Sequence, residues 1–177
     1  LEGFDLGSMQ RNGTDHIDTV LRAIRIAAGV RIANGVVTGQ VDMSGASFDG
    51  ALDADDLQVG GMPLMASKGQ NKTSFKEVNL RGAKVAGQVD MRGASFEGLL
   101  FADNLQVGEI LAMRSEGQNK SSFKDVNLGG AKITGSIAMN GASFDGTLTA
   151  GASVTVSWSA VMIKLASRWA GQTAQPV

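Results

Sequence analysis

The segment Gly87-Gln88-Val89-Asp90-Met91 occurs three times at one spacing. Gly39-Gln40-Val41-Asp42-Met43 precedes it and Gly135-Ser136-Ile137-Ala138-Met139 follows it by equal offsets (87 − 39 = 48 and 135 − 87 = 48). Gly45-Ala46-Ser47-Phe48, Gly93-Ala94-Ser95-Phe96 and Gly141-Ala142-Ser143-Phe144 keep the same step. A fixed period of this size is the signature of a solenoid, in which no repeat buries its own apolar face and each is covered by its neighbours. Successive copies must therefore stack.

Within each unit a weaker copy appears at an offset of 22, where the stretch from Val85 to Arg92 overlays the stretch from Val107 to Arg114. Each unit is thus two turns. Taking one inward residue per side, the central series runs Leu80, Val85, Met91, Phe96, then Ala102, Val107, Met113, Phe123, then Leu128, Ile133, Met139, Phe144. Two earlier turns extend it, Ile32, Val37, Met43, Phe48 and Ala54, Val59, Met65, Phe75. The long step from Met113 to Phe123 carries Ser115-Glu116-Gly117-Gln118-Asn119-Lys120, which matches Ser67-Lys68-Gly69-Gln70-Asn71-Lys72. A loop is therefore inserted in every second turn, and a plain turn with an offset of 22 followed by a looped turn with an offset of 26 completes the period of 48. The expectation is an all-β solenoid, a four-sided parallel β-helix of about five turns, about 24 Å long at the usual strand spacing. Gly82, Gly87, Gly93 and Gly98 stand where corners need positive φ.

Composition fits a narrow interior. Apolar residues make up 43% of the chain but aromatics only 5%, and Tyr is absent, so the core falls to Val, Leu, Ile, Ala, Met and a few Phe. With 16 basic against 17 acidic residues the net charge is −1, which supplies no basic field, and no direct nucleic-acid contact is expected. The absence of cysteine removes disulfides, thiolate metal sites and cysteine nucleophiles, and suits a reducing cytoplasm.

The flanks read differently from the repeats. Residues 1–9 look like an expression scar ending at Met9. Residues 10–29 form an expected N-terminal capping segment, because Ile17, Val20, Leu21 and Ile24 keep helical spacing and predict a helix over 15–28 that stops at Gly29. The β-helix domain covers 30–156. Beyond it a C-terminal helix is predicted over 157–170, with Trp158, Met162, Leu165 and Trp169 on one face, followed by a disordered tail over 171–177. Both helices would cap the open ends of the coil. The Trp158, Met162, Leu165 and Trp169 face also suits a homodimer contact. The C-terminal helix contains Lys164 and Arg168 and is too short to span a bilayer, so no transmembrane segment is expected.

No catalytic residue, metal ligand or cofactor site is expected. His16, the one histidine, has no nucleophilic partner pattern and reads as a surface or capping residue. Asp42 and Asp90 are equivalent positions two turns apart, about 9.6 Å at strand spacing, a separation close to the upper end of that found in an inverting glycosidase pair. Ala138 interrupts that series, and a solvated acidic ladder is the expected reading. Asp55, Asp56, Asp103 and Asn104 are expected to bond turn backbone rather than calcium. Gln70, Asn71, Lys72, Gln118, Asn119 and Lys120 of the inserted loops are the candidate contacts for a protein partner.

Ala83-Lys84-Val85-Ala86-Gly87, Ala94-Ser95-Phe96-Glu97-Gly98 and Val78-Asn79-Leu80-Arg81-Gly82 place a small or β-branched residue two positions before a central apolar one. In these pentads the sequence resembles the pentapeptide-repeat family over roughly residues 30–150. It departs from the family in its alternating six-residue steps, its Met column and its loops. The resemblance implies a right-handed quadrilateral β-helix. It also implies one alternative function, a gyrase-binding DNA mimic, which would carry an acidic stripe along a dimeric rod. The leading expectation is a non-enzymatic scaffold or protein-interaction module. A carbohydrate-active enzyme is the remaining alternative.

Overall fold

Strands of two residues cannot stand alone and must be held by neighbours on either side. The computed structural model describes residues 4–5, 19–22, 24–151 and 156–157. Throughout it, strand pairs with strand in parallel. The chain is an all-β parallel solenoid of about six turns, with no helix among the described residues.

The turns distribute their strands over three sheets. One has five strands, Val36–Val37, Gln58–Val59, Lys84–Val85, Gln106–Val107 and Lys132–Ile133. A second has seven, running from Thr19–Val20 through Val41–Asp42, Pro63–Leu64, Val89–Asp90, Leu111–Ala112 and Ile137–Ala138 to Val156–Ser157. The third has nine and contains the long strands Ser47–Asp53, Ser74–Asn79, Ser95–Phe101 and Ser122–Leu128. Two of the four expected sides are thus continuous in one sheet. Each long strand turns the corner between them without breaking its pairing, and the register shifts there, as between Phe75 and Val78.

The alternation of turn lengths follows the expectation. Val36 pairs with Gln58 (58 − 36 = 22), Gln58 with Lys84 (84 − 58 = 26), Lys84 with Gln106 (106 − 84 = 22) and Gln106 with Lys132 (132 − 106 = 26). The long sheet shows how the loop is absorbed. Phe48 pairs with Phe75 (75 − 48 = 27), but Leu52 pairs with Val78 (78 − 52 = 26). The loop adds five residues, and the next corner drops one. Corners that keep that residue carry Gly50, Gly98 or Gly146, and a Cβ on Gly98 would sit 2.1 Å from the Lys76 carbonyl oxygen of the adjacent turn. Gly98 is therefore required by close approach of backbone, not by positive φ, and Gly87 is likewise absent from the positive-φ set. Gly82 and Gly93 do take positive φ, 61° and 68°, at the third position of four-residue turns closed by Ala83 N–H to Leu80 O and Ala94 N–H to Met91 O.

Asp56 and Asn104 occupy the same left-handed position as Gly82, with φ of 51° and 56°. This corrects their expected role. Asp and Asn tolerate that conformation, while the side-chain bonds to turn backbone come from the preceding strand ends, Asp53 to Asp55 N–H, Asn79 to Arg81 N–H and Asn127 to Gly129 N–H.

The core is filled by columns one strand spacing apart. Phe48, Phe75, Phe96, Phe123 and Phe144 form one continuous stack, with ring centroids separated by 4.9, 5.1, 4.8 and 5.2 Å. Met43, Met65, Met91, Met113 and Met139 form another, all buried. Elsewhere large and small residues alternate from turn to turn. Ile32, Ala54, Leu80, Ala102 and Leu128 share one buried column, while the neighbouring column runs Leu57, Ala83, Leu105 and Ala131. A turn that is small in the first column is large in the second, so each layer fills the same cross-section and adjacent layers interdigitate.

The predicted N-terminal helix is not present over its described residues. Thr19–Val20 pairs with Val41–Asp42 (41 − 19 = 22), and Arg25–Ile26 pairs with Ser47–Phe48 (47 − 25 = 22). Leu21 and Ile26 pack against the core. This segment is an additional turn of the coil, and it accounts for about six turns where five were expected. Residues 10–18 and 23 of the expected cap lie outside the described residues. So do residues 1–3 and 6–9 of the expected scar, whereas Phe4–Asp5 pairs with Val30–Arg31. The C-terminal helix keeps only Ser157 within the described residues, as the end of strand Val156–Ser157. Its remaining residues and the tail lie outside them.

Candidate functional site

A carboxylate placed in a strand of this coil points either at the core or at water, and the two aspartates of the seven-stranded sheet resolve as buried. Asp42 and Asp90 are each 1% exposed, which corrects the expected solvated ladder. Burying an ionised carboxylate requires a counter-charge and hydrogen bonds. Asp90 receives Arg92 Nε at 2.8 Å and Nη2 at 2.7 Å, together with the Arg92 backbone N–H at 3.1 Å. Asp42 receives the Arg22 guanidinium and the Ser44 backbone N–H at 2.9 Å. Arg92 also reaches Glu116 of the second loop at 2.6 Å.

Burial alone would push the Asp42 carboxyl up. The Arg22 hydrogen bond, the Ser44 bonds and the Arg22 charge outweigh it, so Asp42 titrates below the ordinary aspartate value, and Arg22 is raised in return. A depressed folded pKa contributes stability that is complete above the unfolded value of about 3.9 and is lost as pH falls through the lower folded one. The gap in unfolding free energy between wild type and Arg22→Ala should therefore narrow as pH falls from neutral to about 3. Urea titrations across that range measure it, and a gap constant with pH would show that the pair carries none of the effect.

The inserted loops are built rather than loose. Each is closed by an antiparallel bridge, Lys68 with Asn71 and Glu116 with Asn119. The hydroxyls of Ser67 and Thr73 fasten the first, with Ser67 Oγ donating to Gly93 O at 2.7 Å and Thr73 Oγ1 to Ala66 O at 2.7 Å. Ser115 and Ser121 repeat this in the second, donating to Gly141 O at 2.6 Å and Arg114 O at 2.8 Å. The Asn119 side chain then donates to Gly69 O at 3.0 Å, joining loop to loop. Gln70, Asn71, Lys72, Gln118 and Lys120 are exposed, whereas Asn119 is half-buried. Of the predicted contacts, the structure thus brings the six loop residues into one stacked pair. Trp158, Met162, Leu165 and Trp169 lie outside the described residues.

Two surface features had no counterpart among the expected sites. On the nine-stranded sheet and its corners, Arg25–Asp49, Arg31–Asp53 and Arg81–Asp103 pair across turns at 2.8, 3.2 and 2.7 Å. These exposed pairs add little stability but neutralise the acids they touch. The other feature is a shallow open trough of about 630 Å³ along the five-stranded sheet, crossing Gln58, Lys84, Gln106 and Lys132. The alternation of Gln and Lys at those four positions, in step with the alternating turn lengths, was the signal in the sequence for it.

Among the described residues no three His, Cys, Asp or Glu side chains gather as a metal site, and no helix is long and apolar enough to cross a membrane. Compared with family models, with curated proteins and with solved structures, the chain matches none.

Proposed function

We propose that the chain is a non-enzymatic scaffold whose stacked loop pair forms a protein-contact surface. The observation that carries this reading is the loop pair itself. Two loops of the same Gly-Gln-Asn-Lys sequence are fixed in register by buried hydroxyls and by Asn119, yet hold Gln70, Lys72, Gln118 and Lys120 out to solvent. Side chains presented on a fixed frame lose little further freedom on binding. The likeness to pentapeptide repeats supports a scaffold over an enzyme. So does the state of Asp42 and Asp90, since both carboxylates are buried and paired with arginine rather than open to a substrate.

Affinity capture from the native cell extract tests the proposal, run in parallel with wild type and a variant carrying alanine at Gln70, Lys72, Gln118 and Lys120. A partner enriched on wild type should fall to background on the variant. The same partner recovered equally on both would exclude the loops as the contact.

A further inference from the structure

The outer face of the five-stranded sheet carries a chemistry that the loops do not share. The loops leave the coil after the seven-stranded sheet, whereas this face precedes that sheet in every turn. Gln58, Lys84, Gln106 and Lys132 form its exposed outward column. Beside them Gly60, Ala86 and Gly108 keep the floor low, and the result is the open trough of about 630 Å³. Backbone register sets Lys84 and Lys132 two strand spacings apart, about 9.6 Å. Among the described residues neither lysine forms an ion pair, and no Asp or Glu lines the trough.

We propose that this trough binds a linear acidic oligosaccharide lying along the coil axis, with carboxylates of alternate sugars on Lys84 and Lys132. The charge complementarity is local, since the whole chain is close to neutral. The amide of Gln106 stands between the cations and that of Gln58 flanks Lys84 on its other side, and both offer donors and acceptors to sugar hydroxyls. Ala86 and the small neighbours give an apolar floor for the C–H face of a sugar ring.

Spacing selects the polymer. In an extended acidic peptide, side chains on one face recur at about 6.7 Å, twice the strand rise, and fall out of step with the lysines. Duplex phosphates recur at about 3.4 Å per strand along the helix axis, and the protein supplies no broad basic field to hold them. In a β-linked polyuronide of two-fold habit every second carboxylate faces the same way, at a repeat near two strand spacings.

Isothermal titration at low salt with a short β-linked oligomannuronate tests the assignment. Neutral cello-oligosaccharide and oligoglutamate of matched length serve as comparison ligands. The oligomannuronate should bind and the neutral sugar should give no heat. Lys84→Gln and Lys132→Gln should each weaken binding about fivefold, the upper range for an exposed charge pair, and the double variant should bind below detection. Lys76→Gln, on the nine-stranded sheet, should leave binding unchanged, with circular dichroism confirming that every variant is folded. No binding by oligomannuronate, or unaltered binding by the double variant, would overturn the proposal. Oligoglutamate binding as tightly as the sugar would overturn the polymer assignment.

Discussion

Replacing Phe96 with alanine is expected to lower the unfolding free energy by about 3–5 kcal/mol. Phe96 is stacked between Phe75 at 5.1 Å and Phe123 at 4.8 Å. Those rings cannot close on the vacated space, because their backbones are tied to the Phe96 strand by parallel pairing on both sides. The cavity therefore stays open, and stacking is lost on two faces. Phe96→Leu keeps most of the volume and should cost less than about 1.5 kcal/mol. Urea unfolding followed by far-ultraviolet circular dichroism separates the two. Equal small losses for Ala and Leu would show that the stack is not a rigid column.

Arg92→Ala is the second large effect, expected at about 3 kcal/mol, because it leaves Asp90 buried and without its counter-charge. The loss should reverse in large part when Asp90 is also changed to alanine. In the turns on either side the strand partners of Asp90 are Leu64 and Ala112, so the position accepts an apolar side chain. Urea titrations of both variants decide this. A double variant no more stable than Arg92→Ala would place the cost in the Arg92 stem, or in its contact with Glu116, rather than in the orphaned carboxylate.

Much of the coil was legible because its information is periodic. The Phe and Met columns and the alternation of short and long turns follow from counting, since parallel pairing maps equal sequence offsets onto equal positions. What escaped counting was local ambiguity. Leu21 and Ile26 lie one turn before Met43 and Phe48, but the same stretch also satisfies a helical period, and only pairing with Ser47–Phe48 and Val41–Asp42 decides between them. The burial of Asp42 and Asp90 was hidden for a similar reason. Their arginines come from different places in the chain, Arg22 from the turn before Asp42 and Arg92 from just after Asp90, so no repeated motif marks the pairing. The loop residues were found because their sequence is copied. The trough was missed because its Gln and Lys column looks like ordinary solvated surface until neighbouring strands align it.

The alternation of large and small core residues has a consequence for how such a coil can change length. Ala54 lies between Ile32 and Leu80, and Ala102 between Leu80 and Leu128. Adding or removing one turn would bring two large residues face to face in one column and two small ones in its neighbour. Hydrogen bonding along the coil repeats at every turn and would permit growth by single turns, but side-chain volume repeats only at every second. The smallest piece that can be duplicated without repacking is therefore the full pair of turns, one plain and one looped. The size of the repeat is set by how two unlike layers fit together, and the backbone ladder alone would have allowed half of it.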